Sequence, residues 1–147
     1  MRYWLTVRDK PGLLVAMMRE LAGNANISFE GDLSRCRLSI IAGVTQSESD
    51  VLTRNTIAPR QDFIMIPLEP HTIRPILNEI LPEARVVHDI IHVQIEKNGE
   101  MAFAAYDCFH TDGCVVSWSA VPEALLDELQ FKGVLKSFQP APNDNSP

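Results

Sequence analysis

The sequence predicts an α+β domain in which a mainly antiparallel sheet carries helices on one face. Three observations predict it. Short runs that alternate apolar and polar residues interleave with runs at helical spacing, so both element types recur along one chain. Residues 88–110 read as one long hairpin about Asn98-Gly99, a pair suited to the positive φ values of a type I′ turn. The chain has 147 residues, 46% hydrophobic and 22% charged, which is enough for one domain with its own core. Residues 1–138 are expected to form that domain. The tail QPAPNDNSP, residues 139–147, has little to bury and is expected to be disordered.

The elements follow in order. Tyr3, Leu5 and Val7 alternate with Arg2, Trp4, Thr6 and Arg8, the pattern of a half-buried strand. Asp9-Lys10-Pro11-Gly12 ends it and opens a helix, with Asp9 placed to accept from free amides and Pro11 in the first turn. Leu14, Met17, Met18 and Leu21 give that helix its buried stripe, and Gly23 stops it. Ile27 and Phe29 begin a strand that Gly31 bends. Cys36, Leu38 and Ile40 continue with the same period. Residues 43–60 are polar and broken, and read as a long surface loop with a short helical turn near residues 49–53. The run from Asp62 to Leu68 is nearly all apolar, as in a central strand covered on both faces, with Pro67 at its end. Thr72 is placed to cap a helix with Pro75 in its first turn and Ile73, Ile76, Leu77 and Ile80 inward. After the hairpin come a short strand from Cys114 to Trp118 and a helix from Val121 to Phe131. Leu125, Leu126 and Leu129 face in from that helix. An edge strand follows at residues 134–138.

The turn sets the expected register of the hairpin. Lys97 faces Glu100, Ile95 faces Ala102, Val93 faces Ala104 and Ile91 faces Tyr106, with Ile91, Val93 and Ile95 buried. The other face pairs Glu96 with Met101, Gln94 with Phe103 and His92 with Ala105.

Charge is unevenly placed within the net −6. Residues 1–60 hold eight Lys/Arg against six Asp/Glu, and residues 61–147 hold five against thirteen. An acidic second half argues against a phosphate backbone as partner and suits a basic protein. Cys36, Cys108 and Cys114 are odd in number and lack framework spacing, so free thiols are expected. No apolar run reaches the roughly 18 residues that span a bilayer. The N-terminal residues lack a signal-peptide pattern, and a cytoplasmic location is expected.

Chemical motifs are sparse. Cys108, His110 and Cys114 are soft ligands in one short stretch, but their spacing fits no pair of zinc knuckles, and a turn with incidental Cys and His is the better reading. His88 and His92, on one strand face, are about 13 Å apart at 3.3 Å per residue, too far to share an ion. A Cys-His nucleophile built from Cys108 or Cys114 with His110 lacks a visible orienting group. GxSxG, GxGxxG, P-loop and HExxH patterns are absent. No catalytic residue, metal or cofactor is therefore expected.

Two resemblances add to this. VRDKPGLLVAMMRELAGNANIS resembles the opening of an ACT domain, at Val7, Asp9, Pro11-Gly12, Leu14, Leu21-Ala22 and Asn26-Ile27. The likeness covers at most residues 2–95. It implies a ferredoxin-like βαββαβ core, to which later residues add a C-terminal hairpin and helix. It also implies an amino acid or similar small ligand held by Asp9, Gly12 and Asn26 across a homodimer interface. The second half, IIHVQIEKNGEMAFAAYDCFH with VPEALLDELQFKGVLKSF, is similar in build to the small acidic immunity proteins of bacterial polymorphic-toxin systems. That likeness implies a non-catalytic inhibitor that caps a basic toxin, with Glu96, Glu100, Asp107, Asp112, Glu123, Asp127 and Glu128 as contacts. The immunity-type inhibitor is the leading expectation, the ACT-like regulatory domain the second, and an enzyme of unrecognised class the third.

Overall fold

The computed structural model describes residues 1–110, 112 and 115–142. Its elements are β1 (Tyr3–Val7), α1 (Lys10–Leu21), β2 (Ala25–Gly31), β3 (Asp62–Leu68), α2 (Ile73–Ile80), α3 (Arg85–His88), β4 (Ile90–Lys97), β5 (Glu100–Ala105), β6 (Val115–Ser117), α4 (Glu123–Phe131) and β7 (Leu135–Pro140). The strands form one open sheet in the order β3-β2-β4-β5-β6-β1-β7, and every neighbouring pair is antiparallel. The α+β class is as expected. One buried cluster joins Leu5, Ile27, Phe29, Val93, Ile95 and Phe103 from one sheet face to Leu14 and Met17 of α1, Ile76 of α2, Val86 of α3 and Leu126 of α4. All four helices therefore lie on that face.

The strand order departs from a ferredoxin-like core. In that core one strand separates the two parallel strands that each helix joins. The β3-α2-β4 crossover obeys this, with β2 between its strands. The β1-α1-β2 crossover does not, because β4, β5 and β6 stand between β1 and β2. Strand β1 is instead flanked by β6 and β7, both from the end of the chain.

The hairpin turn forms as expected, with Asn98 at φ 55° and Gly99 at φ 82°. Its register holds for Lys97 opposite Glu100 and Glu96 opposite Met101, then slips at a bulge, so that Ile95 faces Phe103, Gln94 faces Ala104 and Val93 faces Ala105. A one-residue slip moves every later side chain to the other face. Here it sends Phe103 into the helix-side core and puts the small Ala104 on the opposite face. Val93 and Ile95 are buried, while Ile91 is half-buried. A Cβ at position 99 meets nothing within 4 Å, but a β-branched residue there resists positive φ. Gly99→Val is therefore expected to cost about 1–2 kcal/mol, the left-handed penalty alone, read as a lower urea midpoint with an unchanged slope.

Several other expectations change. Strand β2 ends at Gly31 and does not resume at Cys36. Asp32 accepts from the Ser34 amide and hydroxyl, a side-chain turn that competes with sheet pairing, and Leu38–Ile40 is a 3-10 turn. Strand β3 is an edge strand, not a central one, although both of its faces are largely covered. Thr72 stands at the N-cap of α2 without capping it. Its hydroxyl donates to Pro67 O at 2.7 Å and accepts from Glu69 N at 2.9 Å, which secures the exit from β3. His88 is in α3, outside the hairpin, so it shares no strand face with His92. Residues 139–141, placed in the expected disordered tail, are instead held against β1: Gln139 and Pro140 pair with Trp4 and Tyr3, and Ala141 N donates to Arg2 O. Cys114, at the start of the expected 114–118 strand, lies outside the described residues, as do residues 143–147. No helix among the described residues is long and apolar enough to cross a membrane.

Candidate functional site

The sheet face away from the helices is polar at its centre. Strands β2 and β4 place Asn26 opposite Glu96, Ser28 opposite Gln94, and Glu30 opposite His92. Ser28, Glu30, His92 and Gln94 are all at most 5% exposed. Buried polar groups need partners, and the loop at residues 43–60 supplies them. Glu30 accepts from Asn55 N at 2.8 Å and Thr56 N at 3.1 Å. Gln94 holds both polar atoms of the Thr53 backbone, donating to its carbonyl and accepting from its amide. His92 Nδ1 accepts from Asp107 N at 3.2 Å, so Nε2 carries the hydrogen and donates to Thr56 Oγ1 at 2.7 Å. Leu52, fully buried yet outside the helix-side cluster, anchors the same loop. The expected surface loop is thus a roof over the sheet, with three sheet side chains bonded to its backbone or hydroxyl. It has no helical turn at residues 49–53; Ser49 Oγ organises that stretch by accepting from Leu52 N. Glu30 and His92 point into this roof and not into an open cleft, so the arrangement fixes a loop rather than presenting an acid-base pair.

Beyond His92 the chain makes an unusual turn. Asp107, Cys108 and Phe109 have φ of 51°, 58° and 61°, three successive left-handed residues at about 1–2 kcal/mol each. Bonds from Cys108 N to Ile91 O and from His110 N to Tyr106 O hold the turn, and Phe109 is buried beneath it. Cys108 and His110 belong to this turn, while their candidate co-ligand Cys114 is outside the described residues. Among the described residues no three His, Cys, Asp or Glu side chains gather to hold a metal ion. Cys36 is half-buried, and burial pushes its thiol pKa above the usual value, so its thiolate is scarcer than that of an ordinary cysteine.

The seven candidate acids do not make one patch. The hairpin tip, the start of β1 and the start of α4 share one end of the sheet, because Tyr3 pairs with Ser117 and Ser117 with Phe103. Glu96, Glu100, Glu123 and Asp127 belong to this end. Glu123 accepts from Tyr3 Oη at 2.7 Å. That bond, with the charges of Glu123 and Asp127, raises the Tyr3 pKa. Lys97, the hairpin's one basic residue, is turned away from this surface. Its Nζ donates to the Leu21, Ala22 and Gly23 carbonyls at the end of α1, a favoured place for a cation. Asp107 and Asp112 lie beyond the other end of β5. Glu128 is further along α4 and is paired with Lys132 at 2.9 Å.

The ACT-like residues are also separated. Asp9 Oδ1 accepts from Gly12 N at 3.0 Å, which makes Asp9 the N-cap of α1 as expected. Gly12 is bound up in that cap, since a Cβ there would stand 2.3 Å from Asp9 Oδ2. Both follow the C-terminal end of β1. Asn26 is near the start of β2, which runs parallel to β1, so it sits at the opposite end of the sheet, and its amide donates to Glu96 Oε1 at 2.7 Å.

Sequence reasoning missed Glu30, Gln94 and Thr56. The available signal was Ser28 and Glu30 alternating with Ile27 and Phe29, polar residues too regular for a strand whose second face is simply apolar. No family model matches the chain, and neither a curated protein nor a solved structure matches it.

Proposed function

We propose that this chain is a non-catalytic binding domain, a small acidic inhibitor of the immunity type that caps a basic protein partner such as a bacterial toxin. The observation that carries the reading is the acidic end of the sheet. Glu100, Glu123 and Asp127 share that end with Arg2, whose guanidinium donates to Pro142 O, while Lys97 is spent on the carbonyls of α1 and Glu96, on the opposite sheet face, is bonded to Asn26. On this reading the contacts centre on Glu100, Glu123 and Asp127, with Glu96 at the rim of the same end. Asp107, Asp112 and Glu128 fall away from it. Acids fixed on a hairpin and a helix start suit a cationic surface, because complementary potential speeds encounter and penalises wrong partners.

The test is inhibition of the basic polypeptide encoded beside this chain's gene. An equimolar amount of this protein is expected to abolish that polypeptide's activity. Undiminished activity in the presence of excess protein would overturn the reading.

A further inference from the structure

We infer that the cavity between the 33–39 turn and the 54–64 segment is a binding site for a small polyanion, of the diphosphate or tricarboxylate class. This inference does not rest on the acidic end of the sheet, which is a separate surface.

The cavity holds about 530 Å³ and is lined by Arg54, Arg60, Ser39, Gln46, Asp62 and Phe63, among others. That volume suits a small molecule. Arg54 is positioned by the polar roof. Gln94 holds Thr53, and Glu30 holds Asn55 and Thr56, so the backbone on both sides of Arg54 is bound to buried side chains. Arg54 N itself donates to Glu48 Oε1 at 2.6 Å. The Arg54 guanidinium lies over the Phe63 ring at 5.3 Å, and its Nη1 donates to Gln61 O.

A guanidinium has five N–H donors in a planar fork. Among the described residues the Arg54 side chain donates one hydrogen bond, to Gln61 O, so most of the fork remains to be used. Arg60 is exposed, and the described residues offer it no ion-pair partner. The one carboxylate on the wall, Asp62, accepts from Leu33 N at 3.0 Å and ties the far side of the cavity to β3. Two guanidiniums against one carboxylate leave the cavity cationic in a protein of net charge −6. A fixed fork with open donors is what bidentate recognition of phosphate or carboxylate uses. The concave shape and the acidic whole favour a small molecule over a polymer backbone.

The test is thermal unfolding with pyrophosphate and, separately, citrate, against sodium chloride at matched ionic strength. A ligand that binds the folded state raises the melting temperature by mass action. A saturable rise is expected with at least one probe at about 10 mM. Arg60→Gln, at an exposed and unpartnered position, is expected to leave the ligand-free melting temperature in place and weaken the probe's affinity about tenfold. Arg54→Gln is expected to remove the effect. No rise beyond the salt control, or the same rise in Arg60→Gln as in the parent chain, would overturn the inference.

Discussion

Gly31→Ala is expected to cost about 3 kcal/mol or more, the largest effect of a methyl added at any described glycine. Gly31 has φ of 155° at the bulge where β2 parts from β4. A Cβ there would stand 2.3 Å from Asp89 O, 2.9 Å from Ile91 N and 3.0 Å from Ile90 Cα. These are backbone atoms, and they cannot turn aside as a side chain does. Asp89 O also accepts from Asp32 N at 2.9 Å, and Asp89 is paired with Arg35 at 2.7 Å. Pushing that carbonyl away breaks the join between β2 and β4 and loosens the 32–36 turn. Urea denaturation of Gly31→Ala beside Gly99→Ala separates steric cost from φ cost, since position 99 has open space. Midpoints that fall equally would show that the close approach at Gly31 is not what constrains it.

Glu30→Ala is expected to cost about 3 kcal/mol and to release the roof over the sheet. The Asn55 and Thr56 amides would lose their acceptors, and the space would open beside His92 and Gln94. Most of the cost comes from losing two bonds to a buried carboxylate and from the gap left at Glu30, since Asn55 is exposed and Thr56 half-buried. Hydrogen exchange reads the local part directly. The amides of Asn55 and Thr56 are expected to lose protection, while those of Ile27 and Phe29 keep theirs relative to global unfolding. Unchanged protection at residues 55 and 56 would mean that the loop holds its shape without Glu30.

Local chemistry was the legible part of this fold. Asp9 before Pro11-Gly12 encodes a helix start within four residues, and Asn98-Gly99 encodes a turn within two. Each needs only its neighbours. The hairpin bulge was not legible, because EMAFAA contains no glycine or proline to mark it. Its cause is the choice between Phe103 and Ala104 for the core, which depends on the helices packed over that face of the sheet. The roof was illegible for a similar reason. Residues 43–60 lack periodicity, and their partners Glu30 and Gln94 are 25 and 41 residues away. The acids followed the same rule. Their abundance was plain in the sequence, but which of them share an end of the sheet follows from β1 lying beside β6, a pairing more than a hundred residues apart.

That acidic end is the centre of the functional account, and association kinetics test it most directly. The measurement is the rate of binding to the adjoining gene's basic product across a range of ionic strength, for the parent chain and for Glu100→Lys with Glu123→Lys. Both positions are exposed, so the fold is expected to persist, with loss of the Tyr3 bond as a minor cost. The parent rate is expected to fall steeply with added salt. At low salt the double variant is expected to bind about tenfold more slowly, with a flatter salt dependence and a smaller change in dissociation. Equal rates and equal salt slopes for the two proteins, with binding intact, would contradict the account and leave the acids at the hairpin end as a solvated face.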